Sequence, residues 1–281
     1  LGFTWTVSAV LSPRADDGLY PPTSVAAAPV AAGGLVFWSG LNGMVYACDA
    51  ESGDLKWTAF TGGAVRFSPS VWDGRVYVGS GDGWVYCLEA TSGRRLWRFR
   101  AAPMERKILV HGRLLSTWPV GSGVLIHDGI AYVAAGIIDQ DGTYVYALDA
   151  VTGKIKWQNN SSGHLNPQLR KGISVQGNLT IQGDRLLLAS GNQVSPAPYD
   201  LATGECLAEP FDQGRPKANN GKFVGVFQDQ VVIAGGRILY SAAANVSSKG
   251  SFVAHAGEKT YRLNRGGIPP AWLENTFAMV N

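Results

Sequence analysis

Cysteine is scarce in this chain: three occur in 281 residues, Cys48, Cys87 and Cys206. An odd count cannot close a complete intrachain disulfide framework. With no CxxC, CxxCH or vicinal Cys-Cys, zinc-ribbon, covalent-haem and adjacent-disulfide readings lose their basis. Charge is sparse as well, with charged residues at 16% and a net charge of +3. So mild a balance, without a basic run, leaves no footprint for nucleic acid. The longest apolar stretch, 25–38, is interrupted by Pro29, Gly33 and Gly34 and is too short for a membrane-spanning helix. No signal-type leader follows Leu1, and no helical periodicity competes for any segment. GxSxG, HExxH and P-loop motifs are missing too, so no nucleophile, metal-bound base or phosphate cradle can be named.

Glycine, tryptophan and apolar residues are plentiful: 36 Gly, 9 Trp and 46% hydrophobic residues. That balance suits many short strands joined by tight turns. The segment 47–57, ACDAESGDLKW, returns at 87–97 as CLEATSGRRLW and at 147–157 as ALDAVTGKIKW. Each copy has a small residue, an acid two positions on, a Ser/Thr-Gly turn and a Trp eight after the acid. Cys87 stands where the other copies carry Ala47 and Ala147, which predicts a small packed side chain. Around each copy, β-branched and aromatic runs flank Asn42-Gly43, Asp82-Gly83 and Asp141-Gly142, which are hairpin signals because their turns need positive φ. Asp139-Gln140-Asp141-Gly142-Thr143 is like the start of a calcium loop but lacks the further ligands, and reads better as a turn.

Four short antiparallel strands recurring about every 40 residues (Trp57 to Trp97 is 40) describe a β-propeller blade. The expectation is an all-β fold of such blades at 25–63, 64–103, 118–163, 175–214 and 220–262, with partial blades at 1–10 and 271–281. The fourth copy keeps Asp200, Thr203 and Gly204 but has Ala208 where Trp is expected. Incomplete units at both ends make the chain read as a single-domain piece of a propeller with roughly seven or eight blades.

The motif Ala-x-Asp-x-x-Thr-Gly-x-x-x-Trp, preceded by Val-Tyr, resembles the tryptophan-docking repeat of the pyrroloquinoline quinone (PQQ)-like propeller family, including bacterial PQQ-binding-like repeat proteins. The matching positions are Ala47, Asp49, Gly53 and Trp57; Glu89, Gly93 and Trp97; and Ala147, Asp149, Gly153 and Trp157. The resemblance is specific over 25–163, and a looser one covers 112–119. It implies a structural girdle of tryptophans between blades and a periplasmic or other extracytoplasmic location. It also implies two families of function. Quinoprotein alcohol dehydrogenases hold PQQ and calcium in the central funnel, beneath a vicinal disulfide that has no counterpart here. Non-catalytic relatives include a lipoprotein of outer-membrane assembly. No carboxylate matches a calcium ligand position by position, so no cofactor-binding or metal residue is assigned.

Longer segments at 101–119, 137–142 and 158–177 are expected to emerge on one rim of one face. They would bring together Arg106, Lys107, His111, Arg113, Trp118, His164, Asn166, Arg170 and Lys171. Loops on a rigid scaffold are where binding usually resides, and Arg, His and Trp suit an anionic or carbohydrate-like ligand or a protein partner. His127 and His255 fall near strands and read as structural. The sequence thus leans to a non-catalytic binding or scaffolding module of a larger bacterial protein. The alternative is a fragment of a PQQ- and calcium-dependent quinoprotein alcohol or sugar dehydrogenase.

Overall fold

The computed structural model describes residues 28–110, 113–169, 171–190 and 194–209, and beyond them the strands 223–227, 230–234, 240–241, 252–256, 259–263 and 277–280. The described residues up to 137, with 144–158, form one compact unit; 138–143 with the residues from 159 onward form another.

The first unit holds three four-stranded antiparallel sheets, each paired in chain order. The first comprises β1 (Val30–Ala32), β2 (Leu35–Ser39), β3 (Met44–Asp49) and β4 (Leu55–Phe60). The second comprises β5 (Ser70–Trp72), β6 (Arg75–Gly79), β7 (Trp84–Glu89) and β8 (Arg95–Arg100). A separate hairpin, β9 (Lys107–Val110) and β10 (Arg113–Ser116), precedes the third sheet. That sheet comprises β11 (Val120–His127), β12 (Ile130–Ala135), β13 (Tyr144–Asp149) and β14 (Ile155–Asn159).

Local chemistry explains the turns. Asn42 and Asp82 cap theirs by accepting the N–H two residues on, at Met44 (3.1 Å) and Trp84 (3.0 Å). Between the first two strands of the second and third sheets, Asp73-Gly74 and Asp128-Gly129 all take positive φ. They close two-residue hairpins at Trp72–Arg75 and His127–Ile130, as the twist of the flanking strands favours. Apolar faces of neighbouring sheets bury each other. Phe37, Val45 and Trp57 of the first meet Val76, Val78, Tyr86 and Leu88 of the second. Tyr77, Val85 and Cys87 of the second meet Val124, Val133 and Leu148 of the third.

The second unit contains β15 (Leu179–Gln182), β16 (Arg185–Leu188) and β17 (Ala197–Asp200); β18 (Phe223–Phe227), β19 (Gln230–Ala234) and β20 (Tyr240–Ser241); and β21 (Phe252–Ala256), β22 (Lys259–Leu263) and β23 (Phe277–Val280). These are three-stranded sheets among the described residues. Leu187, Ala189 and Val224 form a small core. The Asn178 amide both donates to and accepts from the Val224 backbone, at 2.7 and 2.9 Å. Residues 220–262, expected as one blade, are divided between two sheets. The segment 271–281, expected to open another blade, instead contributes β23, which pairs with β22 through Leu263–Phe277. No Asn-Gly or Asp-Gly marks a turn between 222 and 281, so register there follows strand pairing that the sequence does not announce. The expected stub at 1–10 lies outside the described residues.

Candidate functional site

The repeated motif is a docking joint, and its chemistry can be read residue by residue. The acid builds the turn: the Asp49 carboxylate accepts the N–H groups of Glu51 and Ser52, each at 3.0 Å, and pairs with Lys56. Those two backbone bonds and the lysine hold its pKa down at about 2. Asp149 and Asp200 do the same with Thr152 and Thr203, and Glu89 with Ser92 and Arg94; all three are lowered by these bonds.

The turn then presents a glycine and a carbonyl to the tryptophan of the preceding sheet. The Trp57 indole N–H donates to Ala90 O at 2.8 Å, and Trp97 to Ala150 O at 3.1 Å. A Cβ on Gly93 would lie 2.6 Å from Trp57, and one on Gly153 2.8 Å from Trp97. Only glycine admits the ring so close at these positive φ angles. Behind each indole stands an aromatic that the motif does not include: Phe37, Tyr77 and Tyr132 lie 5.9 Å from Trp57, Trp97 and Trp157. The Tyr77 hydroxyl shares the Ala150 carbonyl at 3.1 Å. Cys87 is wholly buried among these groups and its thiol is pushed up to about 12 by burial. It packs as a small side chain, not as a reactive thiol.

In the segment 101–119, Trp118 is only 5% exposed and meets Tyr144 edge-on at 6.3 Å. It is a packing residue. Arg106 is exposed and lies over its ring at 4.9 Å, while its Nε donates to Thr117 Oγ1 at 3.0 Å. The hairpin base is held by Thr117 N–H to Arg106 O and Ser116 N–H to Gly81 O, both 2.9 Å. Leu115 packs against Gly81. The opposite face carries Leu109 and Leu114, directly across from each other and 73% and 66% exposed. Met104, just before the hairpin, is 55% exposed. Sequence reasoning missed these apolar residues. The available signal was two short apolar runs, KILV and RLLS, separated by two residues, which marks a hairpin with apolar side chains on both faces. Arg113 lies on β10, and His111 falls outside the described residues.

Within the second unit, residues 138–143 meet the segment that follows Asn159. Asp139 is buried, and its carboxylate accepts the N–H of Gly172 at 3.0 Å and of Gln140 at 3.1 Å. Thr143 Oγ1 donates to Ile173 O. His164 is exposed with Nε2 3.2 Å from Gln140 O. Asn166 is bridged to Lys171 and accepts the Leu169 N–H at 3.0 Å. These two segments are knitted together by polar bonds, whereas Arg106 and Trp118 belong to the first unit; Arg170 lies outside the described residues. Asp141 and Gly142 end a 3-10 turn, Asp139–Asp141, with Gly142 at φ 94.

Among the described residues no three His, Cys, Asp or Glu side chains converge as metal ligands. Cys48 and Cys87 sit on separate sheets, so neither is vicinal to another cysteine. No described helix is long and apolar enough to cross a membrane.

A family profile described as outer membrane protein assembly factor BamB (PQQ_2) matches residues 4–117 and 110–280. A quinohemoprotein alcohol dehydrogenase, ADH-IIG, of Pseudomonas putida is 31% identical over 148 residues, covering 48% of this chain and 19% of that protein. The outer membrane protein assembly factor BamB of Burkholderia pseudomallei is 29% identical over 177 residues, covering 63% of this chain and 40% of that one. The chain therefore spans less than half the length of these relatives. The crystal structure of quinohemoprotein alcohol dehydrogenase from Comamonas testosteroni superposes with a TM-score of 0.59 at 17% identity, over 83% of this chain and 44% of that chain. That likeness shows the fold alone, a β-propeller built of four-stranded antiparallel sheets.

Proposed function

The chain belongs to the PQQ-like β-propeller repeat family whose profile carries the BamB description, and from that premise we propose that it is a non-catalytic binding or scaffolding module. The observation that carries the reading is the hairpin between the second and third sheets. It is clamped at its base by Arg106, Thr117 and Leu115, yet turns Leu109 and Leu114 to solvent. Isolated four-residue hairpins are marginal in water. One that is fastened rigidly while showing apolar side chains suits recognition, because exposed apolar patches mark interaction surfaces. Arg106 and Lys107 would flank the patch with positive charge. In the second unit, His164 and Asn166 would supply polar contacts of their own. The partner is a protein or a small anionic or carbohydrate ligand, and the compartment is extracytoplasmic, as the assembly-factor relatives suggest.

Placing a photo-crosslinking residue at Leu109 or Leu114, with Lys56 as control, tests the hairpin. Adducts in the native extract at the hairpin alone are expected, and equal labelling at Lys56 would defeat the idea. The dehydrogenase alternative is tested by adding PQQ and calcium to the chain. Bound-quinone absorbance with dye-linked alcohol oxidation would overturn the non-catalytic reading; neither signal is expected.

A further inference from the structure

The repeats serve as internal controls for one another, and the outer strand of the second sheet departs from its copies. Residues 94–100, RRLWRFR, hold four arginines and no acid in a chain whose total charge is +3. One and three residues after the docking Trp, the first sheet carries Thr58 and Phe60 and the third copy Gln158 and Asn160. The second carries Arg98 and Arg100. The propeller joint therefore does not require these arginines; it forms on either side without them.

Their placement gives them a shared direction. In β8, Trp97 and Phe99 pack toward the third sheet, leaving Arg98 and Arg100 exposed on the other face. Arg98 stands across from Tyr86 and Arg100 across from Trp84, and the Arg98 guanidinium lies 4.3 Å over the Trp84 ring. That stacking fixes the guanidinium plane before any ligand arrives. The carboxylate nearest in sequence on β7's approach, Asp82, is already committed to Tyr86 OH at 2.5 Å, Gly62 N–H at 2.8 Å and Trp84 N–H at 3.0 Å. Arg94 pairs with Glu89 at 3.1 Å, but among the described residues Arg95, Arg98 and Arg100 have no carboxylate within ion-pair distance. Finally, β8 is the last strand of its sheet, so one row of its backbone N–H and C=O groups faces outward.

We propose that the β8 edge binds an extended acidic segment of a partner protein, which adds as a strand and sets alternate carboxylates against Arg98 and Arg100. The two arginines are two residues apart on one face, about 6.6 Å along the strand. An added strand with Asp or Glu at every second position has the same spacing. A fork-shaped guanidinium grips each carboxylate through two parallel bonds. The arginines also repel basic strands and leave apolar ones with desolvated charge, so the edge selects for acid as well as for extension. A flexible polyanion would meet the charge but not the row of backbone donors and acceptors. This surface is independent of the 101–119 hairpin.

The test uses the whole chain and a short labelled peptide of alternating Thr and Glu, with a Thr–Gln peptide as the neutral control. Binding is read by fluorescence anisotropy, and strand addition by slowed amide exchange in residues 95–100. The acidic peptide should bind, weaken as salt is raised, and protect β8. Arg98→Thr with Arg100→Asn installs residues of the neighbouring copies, so the sheet keeps its fold. It should lower affinity about tenfold, two exposed ion pairs' worth. Arg98→Lys with Arg100→Lys should recover only part of that loss, because the charge returns without the fork. Leu109→Ser with Leu114→Ser should leave the peptide affinity unchanged. Equal binding by the Arg98→Thr, Arg100→Asn variant overturns the proposal. So does binding of heparin or of anionic phosphatidylglycerol vesicles with no protection of β8 by the peptide, which would make the arginines a general polyanion surface.

Discussion

Gly93→Ala is the substitution that most directly measures the joint between two blades. In the native turn Gly93 has φ +71, and a Cβ there would lie 2.6 Å from both Cδ2 and Cε3 of Trp57. Two costs follow. Holding alanine in the left-handed region costs about 1–2 kcal/mol, and displacing a packed ring costs about 1–3 kcal/mol more. Gly74→Ala separates them, because Gly74 has φ +67 with nothing within 4 Å of the added Cβ, so it bears only the first cost. At about 2–4 °C per kcal/mol for a cooperative unit of this size, Gly93→Ala should lower Tm by about 4–20 °C and Gly74→Ala by about 2–8 °C. Thermal melts followed by circular dichroism give both numbers. A third variant, Trp57→Phe in the Gly93→Ala background, should lose less than the sum of its parts, since the smaller ring relieves the clash. If Gly93→Ala falls no further than Gly74→Ala, the indole does not dock on that glycine and the account of the repeat is wrong.

Acid should loosen the same turns. The carboxyls of Asp49, Asp149, Asp200 and Glu89 have folded pKa values below their ordinary ones. Their contribution is present in full above the unfolded pKa and is lost as pH falls through the folded value, for Asp49 between 3.8 and about 2. Melts from pH 5 to 2 should show that loss, and Asp49→Asn should flatten the acid limb of the curve. Thiol labelling at pH 8 should modify partly exposed Cys206 before buried Cys87, read by peptide mass spectrometry; early labelling of Cys87 contradicts its buried assignment. Removing the clamp with Arg106→Ala, which takes away the contact over Trp118, should speed amide exchange in 107–116 while costing about 0.5–1 kcal/mol. Unchanged exchange there would mean that Leu115 and the backbone bonds of Ser116 and Thr117 hold the hairpin without the Arg106 side chain.

The joint was legible in the sequence because its parts lie within eleven consecutive residues and recur. Acid, Ser/Thr, Gly and Trp act on each other locally or on the same element of the next copy, so spacing alone carries the information. Phe37, Tyr77 and Tyr132 escaped notice because they reach their tryptophans across two strands, and an aromatic in a strand looks like any other core residue. Asp73-Gly74 and Asp128-Gly129 are Asp-Gly pairs like Asp82-Gly83, with both residues at positive φ in two-residue hairpins, tighter than the Gly40–Gly43 turn that Asn42-Gly43 marks. The candidate site was less legible. Trp118 was expected at a binding surface, yet it is buried under Arg106, because a tryptophan in an insertion can anchor as readily as it can contact. Leu109 and Leu114 looked like ordinary strand residues, and only their exposure in the folded chain shows that their face is uncovered. In the second unit the copies lose their docking Trp. In the fourth copy the Asp200–Gly204 turn survives with Ala208 in place of Trp, and among the described residues the chain after it is tied back through the Tyr199–Cys206 bridge and the Leu207 N–H to Pro198 O bond, so repetition no longer predicts register.

In a repeat protein the residues that recur report how the fold is held, and the departures from recurrence report what else is asked of it. Asp49, Gly93 and Trp97 recur in kind and find their partners within the joint. Arg98 and Arg100 do not recur and find no acid among the described residues; the 101–119 hairpin does not recur and leaves two leucines uncovered. Both departures lie on either side of one short stretch of chain, at the exit of the second sheet. A propeller blade tolerates insertion there because its own four strands are already paired and its Trp already docked, so added groups do not disturb the joint. The fold can therefore vary its surface at that exit without renegotiating its core, and it is there that binding specificity is most readily acquired.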